Sequence, residues 1–178
     1  MSAPLTDQLC TRCGLCCDGI LFADVELSGP AELSRLALLG LEVEEDDGEG
    51  ALLVQPCGAL RGKRCSIYPM RPGCCREFEC ALLQEAGRGD VTPAAALAVI
   101  EQALGLVGRA KALLRQLRHR DTGLPLAERA AEAVAAEDDS PVAASRRDEL
   151  AGVMRELQPL VRRRFLGAAA RPTPRRER

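Results

Sequence analysis

The sequence predicts an α+β protein in which a small, metal-nucleated and cysteine-rich domain of short strands and helices is followed by an all-α helical extension. Two observations predict this division. All nine cysteines of the 178-residue chain lie between Cys10 and Cys80, whereas the later part has none and repeats its apolar residues at helical spacing. We therefore expect a cysteine-cluster domain over residues 1–90, a helical extension over 91–166 and a disordered basic tail over 167–178.

The beginning of the cysteine-rich region is predicted to contain a loop, a strand and a helix. Residues 10–19 show neither a helical nor a strand period, so we expect a loop there. Residues 20–28 are typical of a short strand, and a helix is predicted to begin at Pro30 and end at Gly40. The acidic segment 42–49 is expected to be a solvated loop.

The remainder of this region is predicted to form a hairpin and a second helix. Residues 51–57 are typical of a strand, and residues 58–68 turn at Gly62 and return as another. Pro72 suits the start of a short helix, which we expect over residues 72–84.

Three helices are predicted in the second part of the chain. Thr92 suits an N-cap with Pro93 at the first helical position. Six apolar residues follow at steps close to the helical period: Leu97, Ile100, Leu104, Val107, Leu114 and Leu117. An alanine-rich helix is expected over 126–136, and a third helix begins at Pro141 and is expected to kink or end at Pro159.

Composition excludes several classes of function. His119 is the single histidine, which excludes sites built from several imidazoles, and an aromatic content of 2 % argues against a base-stacking nucleic-acid surface. The net charge of −2 combines residues 1–90 (8 basic and 15 acidic, net −7) with residues 91–178 (16 basic and 11 acidic, net +5). The most apolar stretch, 92–108, is too short to span a bilayer. We expect neither a nucleic-acid nor a membrane partner.

The cysteines are expected to bind metal rather than to pair as disulfides. The first ten residues have neither the basic nor the apolar segment of an export signal, so we expect a cytoplasmic protein with reduced thiols. An odd number of cysteines also fits a disulfide framework poorly. The metal ion is therefore the partner that the sequence predicts.

The spacing of the first four cysteines is compatible with one metal or with two. Cys10, Cys13 and Cys16 are spaced C-x2-C-x2-C, a step that lets one turn aim several thiolates at one zinc ion or one cubane iron–sulfur cluster. Because the side chains of adjacent cysteines diverge, Cys16 and Cys17 indicate either two metals or one ligand and one spare. Eight thiolates would close two zinc sites, or one iron–sulfur cluster and a zinc site.

Basic residues accompany the cysteines although the region is acidic overall. Six of them lie within four positions of a cysteine: Arg12, Arg61, Lys63, Arg64, Arg71 and Arg76. Nearby cations lower thiol pKa values and offset the negative charge of a multi-thiolate site. We expect Arg71 and Arg76, which flank the CC pair, to stabilise the bound metal from the second coordination sphere.

Two segments, CTRCGLCC and PCGALRGKRCSIYPMRPGCCREFEC, resemble the YkgJ-type cysteine-cluster family, also called the CxxCxxCC zinc- or iron-chelating domain. The resemblance covers residues 10–82 and preserves the order CxxCGxCC, PC, C-x-I-Y-x-x-R-P and CR-x-F-x-C. It implies a zinc- or iron-chelating module with eight cysteine ligands: Cys10, Cys13, Cys16, Cys17, Cys57, Cys65, Cys75 and Cys80. Cys74 departs from the pattern and is expected to be a spare or a substitute ligand.

Three hypotheses about function follow. The first is a chelating protein for zinc or iron, including an iron–sulfur cluster, with a possible protein partner on the helical extension. The second, implied by relatives that carry the module within flagellin lysine methylases, is an iron–sulfur enzyme or enzyme component. The third is a thiol redox sensor. The sequence contains no catalytic set near the cysteines, so we expect a binding protein rather than an enzyme.

Overall fold

The computed structural model describes residues 3–46, 50–136 and 140–167, and it confirms the predicted α+β fold with a helical second part. Its strands are β1 (Asp24–Leu27), β2 (Val43–Asp46), β3 (Gly50–Val54), β4 (Leu60–Arg61) and β5 (Arg64–Cys65). Its helices are α1 (Leu5–Cys13), α2 (Pro30–Leu38), α3 (Gly73–Glu77), α4 (Ala81–Arg88), α5 (Pro93–Gln116), α6 (Leu126–Ala135) and α7 (Pro141–Val161). Of the predicted basic tail, residues 168–178 lie outside the described ranges.

The first cysteines lie on a helix and not in a loop, so the loop predicted over residues 10–19 is wrong at its start. Helix α1 ends at Cys13, and Gly14 follows it in the left-handed conformation with φ of 74°. Leu9 supplies the reason, because it is buried against the main hydrophobic core and Leu5 packs on the same core one turn earlier. The apolar repeat that predicts this helix therefore begins upstream of the cysteine run.

A three-stranded antiparallel sheet with the order β1-β3-β2 occupies the acidic region. The sequence predicts a solvated loop over residues 42–49, but Val43–Asp46 form β2 and pair with β3. Val43 packs against a small hydrophobic cluster that includes the buried residues Leu36 and Leu53, so one apolar side chain anchors an otherwise acidic strand. Residues 47–49 lie outside the described ranges.

The helix predicted over residues 72–84 is two helices. Helix α3 stops at Glu77, the backbone of Phe78 is extended, and α4 starts at Ala81. The Phe78 ring packs edge-on against Phe22, with ring centroids 5.0 Å apart and planes at 85°. This aromatic contact turns the chain, and it places Cys80 at the N-cap of α4.

A hairpin turn and a helix start in the cysteine-rich region form as predicted. The β4–β5 hairpin turns at Gly62, which has φ of 63°. The start of α2 is also as predicted, and its Glu32 carboxylate accepts hydrogen bonds from the Ser28 amide at 3.0 Å and the Gly73 amide at 2.8 Å. Glu32 therefore joins the start of α2 to the start of α3.

The helical part follows the predicted order. Thr92 caps α5, because its side-chain oxygen accepts a hydrogen bond from the Ala95 amide at 3.2 Å. Helix α7 does not end at Pro159 but continues to Val161, after which Arg162–Leu166 form a π-helical turn. No helix among the described residues is both long enough and apolar enough to cross a membrane.

The helical part packs directly against the cysteine-bearing part. One hydrophobic cluster contains Leu9 and Leu82 from the first part together with Ile100, Leu114 and Phe165 from the second. Two ion pairs cross the same boundary, Asp18 with Lys111 at 2.7 Å and Glu85 with Arg164 at 3.1 Å. The division at residue 90 stays a prediction, and the packing shows that the first cysteines rest on α5.

A pair of glycine substitutions tests how closely the chain approaches itself at the cysteine run. Gly14 and Gly62 both have positive φ, but an added Cβ at Gly14 would lie 3.2 Å from the Lys63 backbone, whereas one at Gly62 would meet nothing within 4 Å. We expect Gly62→Ala to lower the free energy of unfolding by about 1 kcal/mol through backbone strain alone. Gly14→Ala should cost about twice as much, since the contact adds to the same strain. Equal losses in chemical denaturation would contradict the close approach.

Candidate metal centre

The first set of thiols lies where α1 meets α4. Cys10 and Cys13 lie in the last turns of α1, Cys16 lies in the turn after Gly14, and Cys80 precedes α4. Helix α1 packs against both α4 and α5, which brings the C-x2-C-x2-C run to a cysteine 64 positions further on (80 − 16). All four side chains contact the main hydrophobic cluster.

Burial and mutual repulsion keep these four thiols protonated at neutral pH. Burial raises the pKa of Cys10, and the neighbouring Cys80 raises it further. Burial also raises the pKa of Cys13 to about 12, with Cys80 and Cys10 adding to the effect. The pKa of Cys16 is raised by burial first and then by Cys17, Cys13, Cys80 and Cys10. Burial raises the pKa of Cys80 by more than the hydrogen bonds from the Leu83 and Leu82 amides lower it, so its pKa is raised as well.

The second set consists of Cys17, Cys57, Cys65 and Cys75. The Cys57 amide donates a hydrogen bond to the Cys17 carbonyl at 2.8 Å, which holds the cysteine turn against the segment after β3. Cys65 pairs with Leu60 in the β4–β5 hairpin, and Cys75 lies on α3. Four separate segments of the chain therefore contribute one cysteine each.

Electrostatics also groups Cys17 with Cys57, Cys65 and Cys75. Burial raises the pKa of Cys17 to about 12, and Cys57 and Cys65 add to it. Burial raises the pKa of Cys57, with Cys65 adding to it, although the Ala59 amide opposes the shift by donating to the Cys57 sulfur at 3.4 Å. The pKa of Cys75 is raised by its hydrogen bond to Cys74 and by burial, and then by Cys74, Cys17 and Cys57.

In each set the thiols lie near one another but do not form a closed coordination site. Among the described residues, no three His, Cys, Asp or Glu side chains are arranged to hold a metal ion. A cavity of about 290 Å³ borders both sets, with Cys10, Cys13, Cys16 and Cys80 in its wall together with Cys17 and Cys65. Thiolates are ligands of zinc and of iron–sulfur clusters, so the donor chemistry fits either once the sulfur atoms are drawn together.

The cysteine-bearing part of the chain resembles one known protein family. Residues 9–95 match the CxxCxxCC family model, described as a putative zinc- or iron-chelating domain. This stretch of the chain is similar to the CxxCxxCC family. The match covers just under half of the chain and confirms the family that the two cysteine segments predict. Neither a curated protein nor a solved structure gives a match.

Cys74 differs from the eight cysteines of the CxxCxxCC pattern. The hydrogen bond between the Cys74 and Cys75 thiols, whose sulfur atoms lie 3.9 Å apart, lowers the pKa of Cys74, and Glu32 is the carboxylate that opposes the shift. Cys75, in contrast, has Cys17 and Cys57 among its neighbours. The register in which Cys75 is a ligand and Cys74 the spare stays a prediction.

Of the two arginines predicted to support the metal, Arg71 lies beside the thiols. Its guanidinium lowers the pKa of Cys10 and of Cys17, donates a hydrogen bond to the Cys75 carbonyl at 3.2 Å, and stacks on the Tyr68 ring at 3.8 Å from the centroid. Its Nε is buried without a hydrogen-bond partner in the described structure. Arg76 is exposed on α3, and its predicted role stays a prediction.

Two further cations lie beside the thiols. Lys63 lowers the pKa of Cys13, and Arg61 lowers that of Cys57. Both are among the six basic residues that lie near cysteines in sequence. Sequence distance alone cannot show which of the six lie beside a thiol in the fold, because the β4–β5 hairpin folds back onto the end of α1. The Asp18–Lys111 ion pair, which joins the cysteine turn to α5, has no sequence signal at all.

The raised thiol pKa values predict how the metal-free fold responds to alkaline pH. Seven thiols in the folded chain have a pKa above the ordinary 9.0, namely Cys10, Cys13, Cys16, Cys17, Cys57, Cys75 and Cys80. Above that pH the unfolded chain releases protons that the folded chain retains, so the free energy of unfolding should fall. Each such thiol contributes about 1.4 kcal/mol per pH unit in that range.

Denaturant unfolding of metal-free, reduced protein from about pH 7 to about pH 10 measures this loss. Cys74→Ser serves as the comparison, because it removes the main cause of the raised Cys75 pKa while the other six raised thiols remain, so most of the alkaline loss should persist. A stability that does not change through this range would contradict the burial of the thiols.

The contacts of the two arginines predict that they differ in their effect on metal binding. Arg71→Gln removes the charge that lowers the pKa of Cys10 and Cys17, and we expect the metal affinity to fall about 10- to 100-fold. Arg76→Gln, on an exposed position, should leave it nearly unchanged. Competition with a calibrated chelator measures both affinities. A larger loss for Arg76→Gln would reverse the assignment.

Proposed function

We propose that this protein binds zinc or iron through eight cysteine thiolates. The ligands are those of the CxxCxxCC pattern: Cys10, Cys13, Cys16, Cys17, Cys57, Cys65, Cys75 and Cys80. The observation that carries the proposal is that cysteines separated by up to 70 positions (80 − 10) lie in one half-buried region, each within electrostatic reach of other thiols of the pattern.

The protein's own groups support chelation in three ways. The buried thiols are protonated in the metal-free state, so an incoming ion displaces their protons and binding strengthens as pH rises. The Ala59 amide donates to the Cys57 sulfur at 3.4 Å, which favours its thiolate form. Arg71, Lys63 and Arg61 offset the negative charge that the thiolates acquire.

An iron–sulfur cluster on the first set is a finer form of the same proposal. The C-x2-C-x2-C run is typical of cluster-binding proteins, and Cys80 supplies a fourth thiol beside a cavity of about 290 Å³. When bound, such a cluster would supply electron transfer. The lysine-methylation alternative rests on the resemblance alone.

A thiol redox sensor is the second candidate function, and the contact between Cys74 and Cys75 favours it. Their sulfur atoms lie 3.9 Å apart. Hydrogen peroxide would oxidise one thiol to a sulfenic acid and release water, and the second thiol would then form a disulfide with release of a second water. The disulfide requires α3 to unwind locally, because adjacent Cα atoms lie closer together than a disulfide normally spans. Mass spectrometry of peroxide-treated protein should then show reversible loss of two hydrogens confined to the peptide with this pair.

We also propose that the protein is cytoplasmic and that the helical part carries a binding surface for a protein partner. A reducing compartment would keep all nine cysteines free for metal. No catalytic residue is proposed.

The test of the proposed function is to purify the full chain without oxygen, measure zinc and iron by elemental analysis, and record the visible spectrum. We expect stoichiometric metal, colourless with zinc or brown with an iron–sulfur cluster. Protein that remains free of metal after reconstitution with Zn²⁺, and after reconstitution with Fe²⁺ and sulfide, would overturn the proposal.

The two neighbouring cysteines on α3 predict unequal effects on metal content. Cys75→Ser removes a thiol that has Cys17 and Cys57 as neighbours, and it should lower the metal content. Cys74→Ser is the matched control one position away, and it should keep the full content because Cys74 lies towards Glu32. The reverse pattern in elemental analysis would mean that the register of this segment is shifted by one residue.

A further inference from the structure

We propose that the chain holds two separate four-cysteine metal sites. The first consists of Cys10, Cys13, Cys16 and Cys80, and the second of Cys17, Cys57, Cys65 and Cys75. This inference rests on the proposed function and adds to it the number of sites and the division of the ligands between them.

Packing separates the two sets. The main hydrophobic cluster, centred on the helices, contacts Cys10, Cys13, Cys16 and Cys80. The smaller cluster between α2 and the β1-β3-β2 sheet contacts Cys57 and Cys65 instead. The whole first set is therefore seated on one apolar core, whereas Cys57 and Cys65 of the second set are seated on the other.

The backbone explains how Cys16 and Cys17 can belong to different sites. The Cys17 amide donates to the Gly14 carbonyl at 3.0 Å, and the Cys17 carbonyl accepts from the Cys57 amide at 2.8 Å. The turn is thus fixed on one side to the end of α1 and on the other to the segment that precedes the hairpin. Adjacent side chains diverge along such a turn, so Cys16 contacts the main cluster while Cys17 has Cys57 and Cys65 as neighbours.

The mutual influence of the thiols agrees with this division. In the first set, every pair of cysteines interacts electrostatically. In the second set, Cys17, Cys57 and Cys65 all interact with one another, and Cys75 interacts with Cys17 and Cys57. Cys16 and Cys17, as chain neighbours, are the pair that joins the two sets.

Charge favours the same arrangement. A divalent ion with four thiolates is formally dianionic, so two adjacent sites need cations beside each and between them. Lys63 lies near Cys13 of the first set, and Arg61 near Cys57 of the second. Arg71 interacts with Cys10 and Cys17, one thiol from each set, so its guanidinium serves both sites.

The test compares two double variants. In one, the two cysteines are far apart in sequence but belong to the same set. In the other, they are adjacent in sequence but belong to different sets. Full-length protein is reconstituted with Zn²⁺ and equilibrated with a chelator. The chelator concentration is chosen so that the parent keeps all its zinc and Cys13→Ser loses one equivalent. Native mass spectrometry then counts zinc in the folded population, and circular dichroism confirms that the helices remain. Cys74→Ser is the control that should match the parent.

We expect the parent to hold two zinc ions. The variant C10S/C80S, which changes residues far apart in sequence but in one set, should hold one. The variant C16S/C17S, which changes adjacent residues in different sets, should hold none. If C10S/C80S does not fold, C57S/C65S takes its place and should also hold one.

Three outcomes would overturn the inference while leaving the proposed function intact. They are a parent with one zinc ion, a C16S/C17S protein that keeps one ion, and double variants of a single set that lose all zinc. A parent that binds no zinc and no iron would overturn the proposed function itself.

Discussion

The packing of α1 against α4 and α5 is the contact on which the cysteine arrangement depends. Leu9 and Leu82 enter the same core as Ile100 and Leu114, and this burial holds the C-x2-C-x2-C run beside Cys80 before any metal is considered. The helical part is therefore a support for the first thiols as well as an extension of the chain. Loss of apolar contacts on α5 would loosen Cys10 and Cys13 although α5 carries no cysteine.

The same burial creates a conflict that metal binding relieves. Thiols that lie against apolar cores keep their protons, since burial disfavours the thiolate that a metal requires. Backbone amides and the guanidinium of Arg71 act in the opposite direction. A bound dication would reverse the balance by replacing the protons, and its binding free energy would then stabilise the folded state.

The Gly14–Cys17 turn connects the two thiol neighbourhoods. It follows a helix whose end is fixed by the main core, and its last carbonyl is bound by the Cys57 amide at 2.8 Å. A turn held at both ends has little freedom to exchange Cys16 for Cys17. That constraint makes the order of the two adjacent cysteines a structural property and not an accident of composition.

Sequence alone determined the α+β class, the hairpin at Gly62, the cap at Thr92 and the family resemblance, because each depends on local spacing or on a short motif. It did not predict the helix that carries Cys10, the strand at Val43–Asp46 or the break at Phe78, because each is stabilised by a distant partner: the main core, β3 and the Phe22 ring. The eight cysteines of the family pattern could be recognised from the sequence, and the adjacent Cys16 and Cys17 indicated either two metals or one ligand and one spare. Which thiols are neighbours was decided only by the tertiary structure, since two apolar cores and one fixed turn bring together residues that the chain keeps far apart.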